Sequence, residues 1–505
     1  MRPERRTRLR QSCESEDDLY DLVITGGDVV FPGKGVVKTD IGIKDGKIAG
    51  IGELNSSPAK TLNAKGLHVF PGVVDSHFHM GIYKPLAQDA ETESASAVAG
   101  GVTSILIYYR AGRNNLIADL APQLPLAYGE LYPRVLKESA GKFFCDYGYN
   151  IAPVTTSHLG EVPDLVRNHG VSTFKFYMHY RGVTPEEFGA GDFKKEFLFS
   201  DTGYDLGYLR QIMEQVVRSN RVVPGSRVSV HAENPAMIRV HSSAALRDAA
   251  ATHGRTNPLE TYSKMRPPLA ERLGILEAAE LASQTGCPLN ILHVSSQLAL
   301  ETIRQVRSVY PQLDLLAEAT VHHLILTTDF NPSPLAKVNP PIRSGPDREA
   351  LWLGIKDGSF QTVVSDHAAT CKDFKVGGID EAWYGFGGTE LLLPSLITEG
   401  HFNRGVKLER IAELLSLSPA KIHGLFPKKG DIAIGCDADL ALCDLTSEKA
   451  VDHEDLHSAQ DFSPFNGLEL KGWVVKTLLR GRIVYDSGAV AGPASGEYLF
   501  RPAGV

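Results

Sequence analysis

Two histidines separated by one residue, His77-Phe78-His79, follow the short apolar run Val73-Val74-Asp75. Alternate residues of a strand point the same way, so both imidazoles can reach one metal ion. Four further polar residues occupy equivalent places. Lys175 lies in the apolar run Ser172–Met178, His231 ends Val228–Val230, His293 ends Asn290–Leu292, and Asp366 follows Thr362–Ser365. Imidazoles and a carboxylate are metal ligands, whereas a cationic ammonium repels a divalent ion. A buried lysine, however, has a lowered pKa and a nucleophilic neutral amine. That amine can capture carbon dioxide and become a carbamate, an anion able to bridge two metals. Taken singly, each of these residues could be a histidine packed at a strand end or a lysine snorkelling to solvent. Taken together they point to metal chemistry.

Such a set needs a frame that gathers strand ends. Between residues 72 and 365 short apolar runs alternate with longer helical stretches. The runs are Gly72–Asp75, Val102–Tyr108, Asp146–Ile151, Thr173–Met178, Arg227–His231, Leu289–Val294, Leu313–Glu318 and Thr362–Ser365. Leu269–Gln284 and Leu298–Val309 carry apolar residues at three and four spacing, as helices do. Eight strands alternating with helices predict an α/β fold, a (β/α)8 TIM barrel, whose site sits at the carboxyl ends of the strands. The spacing agrees: 96 residues from His79 to Lys175, 56 to His231, 62 to His293 and 73 to Asp366. These intervals place the residues on strands one, four, five, six and eight.

Outside the barrel the pattern is β. Asp21–Val30 and Asp40–Ala49 are short β-branched runs, with a hairpin turn at Lys44-Asp45-Gly46-Lys47. Strand-like runs return at Asp439–Cys443, Val474–Leu479 and Arg482–Tyr485. The two ends are expected to build one composite β-sandwich domain around the barrel. This gives residues 1–19 as a disordered tail, 20–70 as the N-terminal segment of the sandwich and 71–424 as barrel. Residues 425–490 are then the C-terminal segment of the sandwich and 491–505 a tail.

Composition narrows the class. The chain has 505 residues and a formal net charge of −8, which argues against nucleic acid or an anionic membrane surface as partner. Its six cysteines are scattered and none forms a C-x-x-C pair, so a reducing, cytoplasmic setting is expected. There is no apolar run of the roughly 18 residues needed to span a bilayer. The first ten residues hold five arginines and an acidic run follows, without the apolar stretch of a secretory signal.

Several segments resemble the cyclic amidohydrolases, the group of D-hydantoinase/dihydropyrimidinase, allantoinase and dihydroorotase. They are VFPGVVDSHFHM (69–80), TFKFYMHY (173–180), VHAEN (230–234), ILHVSS (291–296), KVNPPIR (337–343) and SDHAAT (365–370). GDIAIGCDADLAL (430–442) resembles the closing β-domain signature. The resemblance covers roughly residues 20 to 490. It implies two divalent metal ions, with zinc the default. His77, His79 and Asp366 would hold one ion, His231 and His293 the other, and carboxylated Lys175 would bridge them. It further implies that a bridging hydroxide opens a cyclic amide, imide or ureide, with Asp366 moving the proton and Tyr180 steadying the oxyanion. Asn339 and Gly388 match substrate contacts. A homotetramer is the implied assembly.

The match has departures. Gly81 stands where dihydroorotases carry a carboxylate-binding arginine, so an uncharged ring is expected unless Arg110 or Arg343 compensates. Gly182–Leu209 reads as an insertion rich in aromatic residues and charges, a candidate lid. Ala368-Ala369-Thr370 replaces the usual loop after the aspartate. Trp383–Pro394 is more allantoinase-like, and Gly387 and Gly388 permit close backbone approach to a ligand. Glu318, His322 and His323 are read as structural. The competing reading is a non-catalytic dihydropyrimidinase-related assembly protein. Such relatives lack the ligands, and here all six positions are filled. A mononuclear deaminase on the same barrel is disfavoured by Lys175.

Overall fold

The computed structural model describes residues 20–54, 58–111, 126–180, 204–252 and 256–501. The expected N-terminal tail and residues 182–203 of the insertion lie outside them. Five strands open the chain: β1 (Leu22–Phe31), β2 (Gly35–Lys44), β3 (Lys47–Gly52), β4 (Thr61–Asn63) and β5 (His68–Pro71). The β2–β3 turn falls at Asp45-Gly46, both left-handed at φ 49° and 76°, as a two-residue hairpin turn requires.

Eight parallel strands follow in chain order: β6 (Val73–Phe78), β7 (Val102–Tyr109), β8 (Asp146–Ile151), β9 (Thr173–Tyr177), β10 (Arg227–His231), β11 (Leu289–Ile291), β12 (Leu315–Thr320) and β13 (Thr362–Val364). Every residue of β6, β7 and β8 is buried, as in strands covered on both faces. The circle closes where Phe78 bridges His367 and the His79 N–H donates to the His367 carbonyl at 2.8 Å. Asp75 reinforces the seam, accepting from the Ser365 N–H at 3.0 Å and from its hydroxyl at 2.5 Å. The two helices expected from periodicity are present as Pro268–Thr285 and Gln297–Val309. The second starts at Ser296, whose hydroxyl accepts from the Ala299 N–H at 3.2 Å.

After the barrel come β14 (Leu440–Ala450), β15 (Glu469–Leu479), β16 (Arg482–Asp486) and β17 (Ala489–Val490). β14 pairs antiparallel with β5, Leu440 opposite Pro71, so the two chain ends share one β-domain. Its hydrogen bonds run through one continuous nine-stranded mixed sheet. A separate apolar cluster that includes Ile24, Val29, Ile41, Ile43, Leu440 and Leu478 supports it. Residues near the end of the chain, expected as a tail, pack along β8. The Leu499 N–H donates to the Tyr147 carbonyl at 2.7 Å, and buried Arg501 donates to Asn150 Oδ1 at 2.7 Å.

Charge joins barrel and β-domain beneath the strands. Lys429 Nζ lies 2.5 Å from Asp146, 2.9 Å from Asp437 and 2.7 Å from Asp439, all buried. Arg480 reaches Asp146 as well. Burial alone would lower the lysine pKa, but Asp439, Asp146 and Asp437 hold it above its ordinary range. Removing one partner of a buried charge set leaves the others uncompensated. Lys429→Met is therefore expected to destabilise the protein by about 3–5 kcal/mol, read as a lower denaturant midpoint. An unchanged midpoint would show that the carboxylates find other partners.

Candidate metal centre

The carboxyl ends of the barrel strands bring the expected ligands together at one cavity. His79, Lys175, His231, His293 and Asp366 line it. His77 lies just beneath, fully buried. β6 carries His77 and releases His79 one residue past its end, so the H-x-H pair shares a side as its spacing predicts. His77 Nε2 is 3.1 Å and His79 Nε2 is 3.2 Å from Asp366 Oδ1. His77 Nε2 is also 2.9 Å from Lys175 Nζ. His293 and Asp366 both follow strands with positive φ, 36° and 50°. Non-glycine residues rarely hold that conformation, and it tends to persist where the surroundings impose it at functional sites.

A second layer of groups sets the ring nitrogens. Glu318 Oε1, at 1% exposure, accepts from His77 Nδ1–H at 2.7 Å and from the His293 N–H at 3.2 Å. This leaves His77 Nε2 as a lone-pair donor. Glu233 Oε2 lies 2.6 Å from His231 Nε2, and Arg266 clamps both Glu233 oxygens, at 3.0 and 2.5 Å. His231 thus keeps Nδ1 for a ligand. Hydrogen-bonded outer partners of this kind fix tautomer and ring orientation at metal sites. Glu318, expected to be structural, braces two of the expected ligands, His77 and His293. His323 is structural: its nitrogens engage Thr320 Oγ1 at 2.6 Å and the Pro340 carbonyl at 3.1 Å.

Desolvation governs the charges. Burial, then neighbouring cations, pushes His77, His231 and His293 well below the ordinary histidine range, so all three are neutral, the form that binds metal. Burial pushes Lys175 down to about 8, against opposing pulls from Asp366 and Glu318. The donor set fits divalent ions on these grounds, and His293 Nδ1 is buried without a hydrogen-bond partner.

The expected substrate contacts divide. Tyr180 lines the cavity, and its hydroxyl is 2.8 Å from that of Tyr384. Asn339 lines it too, with Oδ1 accepting from the Tyr262 hydroxyl. Gly388 does not line it. The Gly388 N–H donates to His367 Nδ1 at 3.2 Å, behind the cavity wall, and Tyr384 and Gly385 take the lining place. Of the two arginines, Arg110 lines the cavity. Arg343 is tied to Glu271 at 3.1 Å, to Ser295 and to the Arg266 carbonyl. Gly81 turns the chain at φ 73° and donates its N–H to Asp89 at 2.8 Å. Sequence reasoning missed Glu233, Arg266 and the cavity residue His179.

Residues 68–484 match the sequence profile of the amidohydrolase family. The chain belongs to that family. Residues 5–69 also match the N-terminal domain of the urease alpha-subunit. The amidohydrolase is 32% identical to an allantoinase of Rubrobacter xylanophilus, over 96% of this chain and 98% of that one. It is 30% identical to a D-hydantoinase of Ralstonia pickettii, over 95% and 99%. A solved D-hydantoinase structure superposes with a TM-score of 0.81 at 29% identity, covering 96% of this chain and 99% of that one. The amidohydrolase is thus a hydrolase of a metal-dependent family, and its described residues offer ligand groups for metal. Among the described residues no helix is long and apolar enough to cross a membrane.

Lys175 touches His77, and its charge also bears on His79, His231 and His293. Lys175→Ala is expected to lose most bound metal, measured as ions per chain. A short-chain carboxylic acid added during metal loading is expected to restore some of it. Full metal content in the variant would remove Lys175 from the ligand set.

Proposed function

We propose that this amidohydrolase opens a cyclic amide, imide or ureide with two divalent ions, zinc by default. His77, His79 and Asp366 hold one ion, His231 and His293 the other, and carboxylated Lys175 bridges them. The observation that carries the reading is convergence. Five of the six ligand positions line a single cavity that also presents Tyr180 and Asn339, and the sixth, His77, lies just beneath it against Lys175 and Asp366. The same convergence speaks against a non-catalytic assembly role, since nothing in such a role requires six such residues, five of them buried, at one place. The hydantoinase and allantoinase relatives support the substrate class.

Two such ions would supply a hydroxide at neutral pH and polarise the scissile carbonyl. The protein's own role is positional. Asp366, held in a left-handed backbone beside both first-strand histidines, takes the proton of the attacking oxygen and returns it to the leaving ring nitrogen. The Tyr180 hydroxyl, steadied by Tyr384, donates to the oxygen on which negative charge develops. Asn339, fixed by Tyr262, offers its amide to the ring.

Arg110 bears on substrate charge. It follows β7, is buried, and lines the cavity. Its guanidinium carbon sits 5.2 Å from the Tyr177 ring centre and 5.4 Å from that of Tyr180. Aromatic faces hold a cation in place at the cavity wall, and a guanidinium matches the planar geometry of a carboxylate. Arg110 therefore supplies the cation that Gly81 does not, and a ring bearing a carboxylate is accommodated.

Two measurements test these readings. Asp366→Asn is expected to lower turnover by orders of magnitude, because an amide accepts no proton. Near-native turnover in a metal-replete variant would exclude Asp366 as the proton carrier. Arg110→Met is expected to lower kcat/KM for dihydroorotate relative to dihydrouracil by roughly ten- to a hundred-fold, the loss of one charge-assisted pair. An equal effect on both rings would reduce Arg110 to a support for Tyr180.

A further inference from the structure

His179 is the residue at this cavity that neither the sequence pattern nor the proposed ligand set uses. It lies in the short 3-10 turn Met178–Tyr180 that extends β9, four residues beyond Lys175. It lines the same cavity as His231 and His293. Both of its ring nitrogens are buried, and neither has a hydrogen-bond partner.

That state sets it apart from His158, His323 and His367; His68 and His322 each leave one buried ring nitrogen without a partner, whereas His179 leaves both. His158 engages the Val154 N–H and the Leu126 carbonyl. His323 engages Thr320 and the Pro340 carbonyl. His367 engages Glu93 and the Gly388 N–H. Each thus uses both ring nitrogens. His179 resembles His293, whose Nδ1 is also buried and unpartnered. A buried polar group left in this condition is expensive, which is why such groups in proteins have partners or a ligand.

Its neighbours indicate which ligand. The His179 and His231 ring centres are 4.0 Å apart, and those of His231 and His293 are 4.3 Å apart. The row continues from His293 to His77 at 5.5 Å and from His77 to His79 at 5.2 Å. Five imidazoles therefore stand in sequence across the barrel mouth, with His179 at the His231 end. One ligand atom from each of His179, His231 and Glu233 falls within 4.8 Å of the others. Glu233 is already committed to Arg266 and to His231, so its oxygens anchor the group. The open donors are imidazole nitrogens.

We propose that His179 is a third imidazole ligand of the ion held by His231 and His293. The proposal rests on the two-ion reading above and adds an asymmetry to it. One ion has two imidazoles and a carboxylate, the other three imidazoles, with Lys175 shared. A nitrogen-rich site favours zinc, cobalt or nickel over the oxygen-seeking magnesium, calcium or manganese. The His179 ion is accordingly the more tightly retained and the more selective of the pair.

The test uses the full chain loaded with Zn2+ or Co2+. Ions per chain, the rate of release to a chelator, and the Co2+ absorption spectrum are measured for the wild type, His179→Ala, His179→Gln and His179→Gly. Circular dichroism checks that each variant is folded. Expected is a release of one ion at least ~10-fold faster in the Ala variant, the lower end of what loss of even an outer partner produces. The other ion keeps its rate, the Co2+ bands of one site change, and added imidazole slows release in the Gly variant. A folded Ala or Gln variant with wild-type release rates and an unchanged Co2+ spectrum overturns the proposal, including when KM alone rises. A wild type that holds a single ion would defeat the two-ion reading instead. The effect of His179→Ala on release of that ion still decides the role of His179.

Discussion

The organisation of the site depends on one buried carboxylate. Glu318 lies near the end of β12 and is sealed from solvent, yet it joins three strands. It accepts the His77 Nδ1–H from β6 and the His293 backbone N–H from beyond the end of β11. In a water-free interior each such bond is strong and each missing partner is costly, so this geometry has few alternatives. It fixes which nitrogen of His77 faces Lys175 and Asp366. Glu233 and Arg266 do the same for His231 on the opposite side. These histidines are thus held by two carboxylates that themselves bind no substrate in the proposed chemistry.

Much of this was legible in the sequence, and the reason is local. Strand periodicity puts alternate residues on one face, so H-x-H and the polar residues ending apolar runs marked the positions that meet at the cavity. The intervals between them matched whole βα units, which pointed to the barrel. What the sequence left hidden depends on neighbours far away along the chain. Glu318 meets His77 across 241 residues, and Arg266 meets Glu233 across 33. No local pattern distinguishes such a carboxylate from a surface one. His179 was hidden differently, because a histidine in an aromatic run carries no spacing signal of its own.

Where the sequence reading and the structure diverge, backbone geometry explains the difference. The sixth barrel strand was expected over Leu289–Val294, but β11 ends at Ile291 because His293 adopts positive φ. Gly388 was read as a ligand contact because paired glycines allow close approach. The partner approached is the His367 ring, which a Cβ on Gly387 would meet at 2.9 Å. The end of the chain was expected as a tail, yet Arg501 is 1% exposed beneath β8. The candidate ligands and the cohesive charge therefore occupy opposite ends of the barrel, the cavity residues above the strands and the Lys429 cluster below.

The pairing of β5 with β14 has a consequence for how the protein is made. Pro71 finds its partner Leu440 only after the whole barrel has been synthesised. At translation speeds of about 5–20 residues per second, those roughly 370 residues take on the order of 20–75 s. Throughout that interval the β5 edge stands outside the ribosome with no strand beside it on that side, and an open edge is a template for pairing with other chains. β5 has only four residues, which keeps that template short. The last strands to leave the ribosome complete the sheet whose first strands were made at the start.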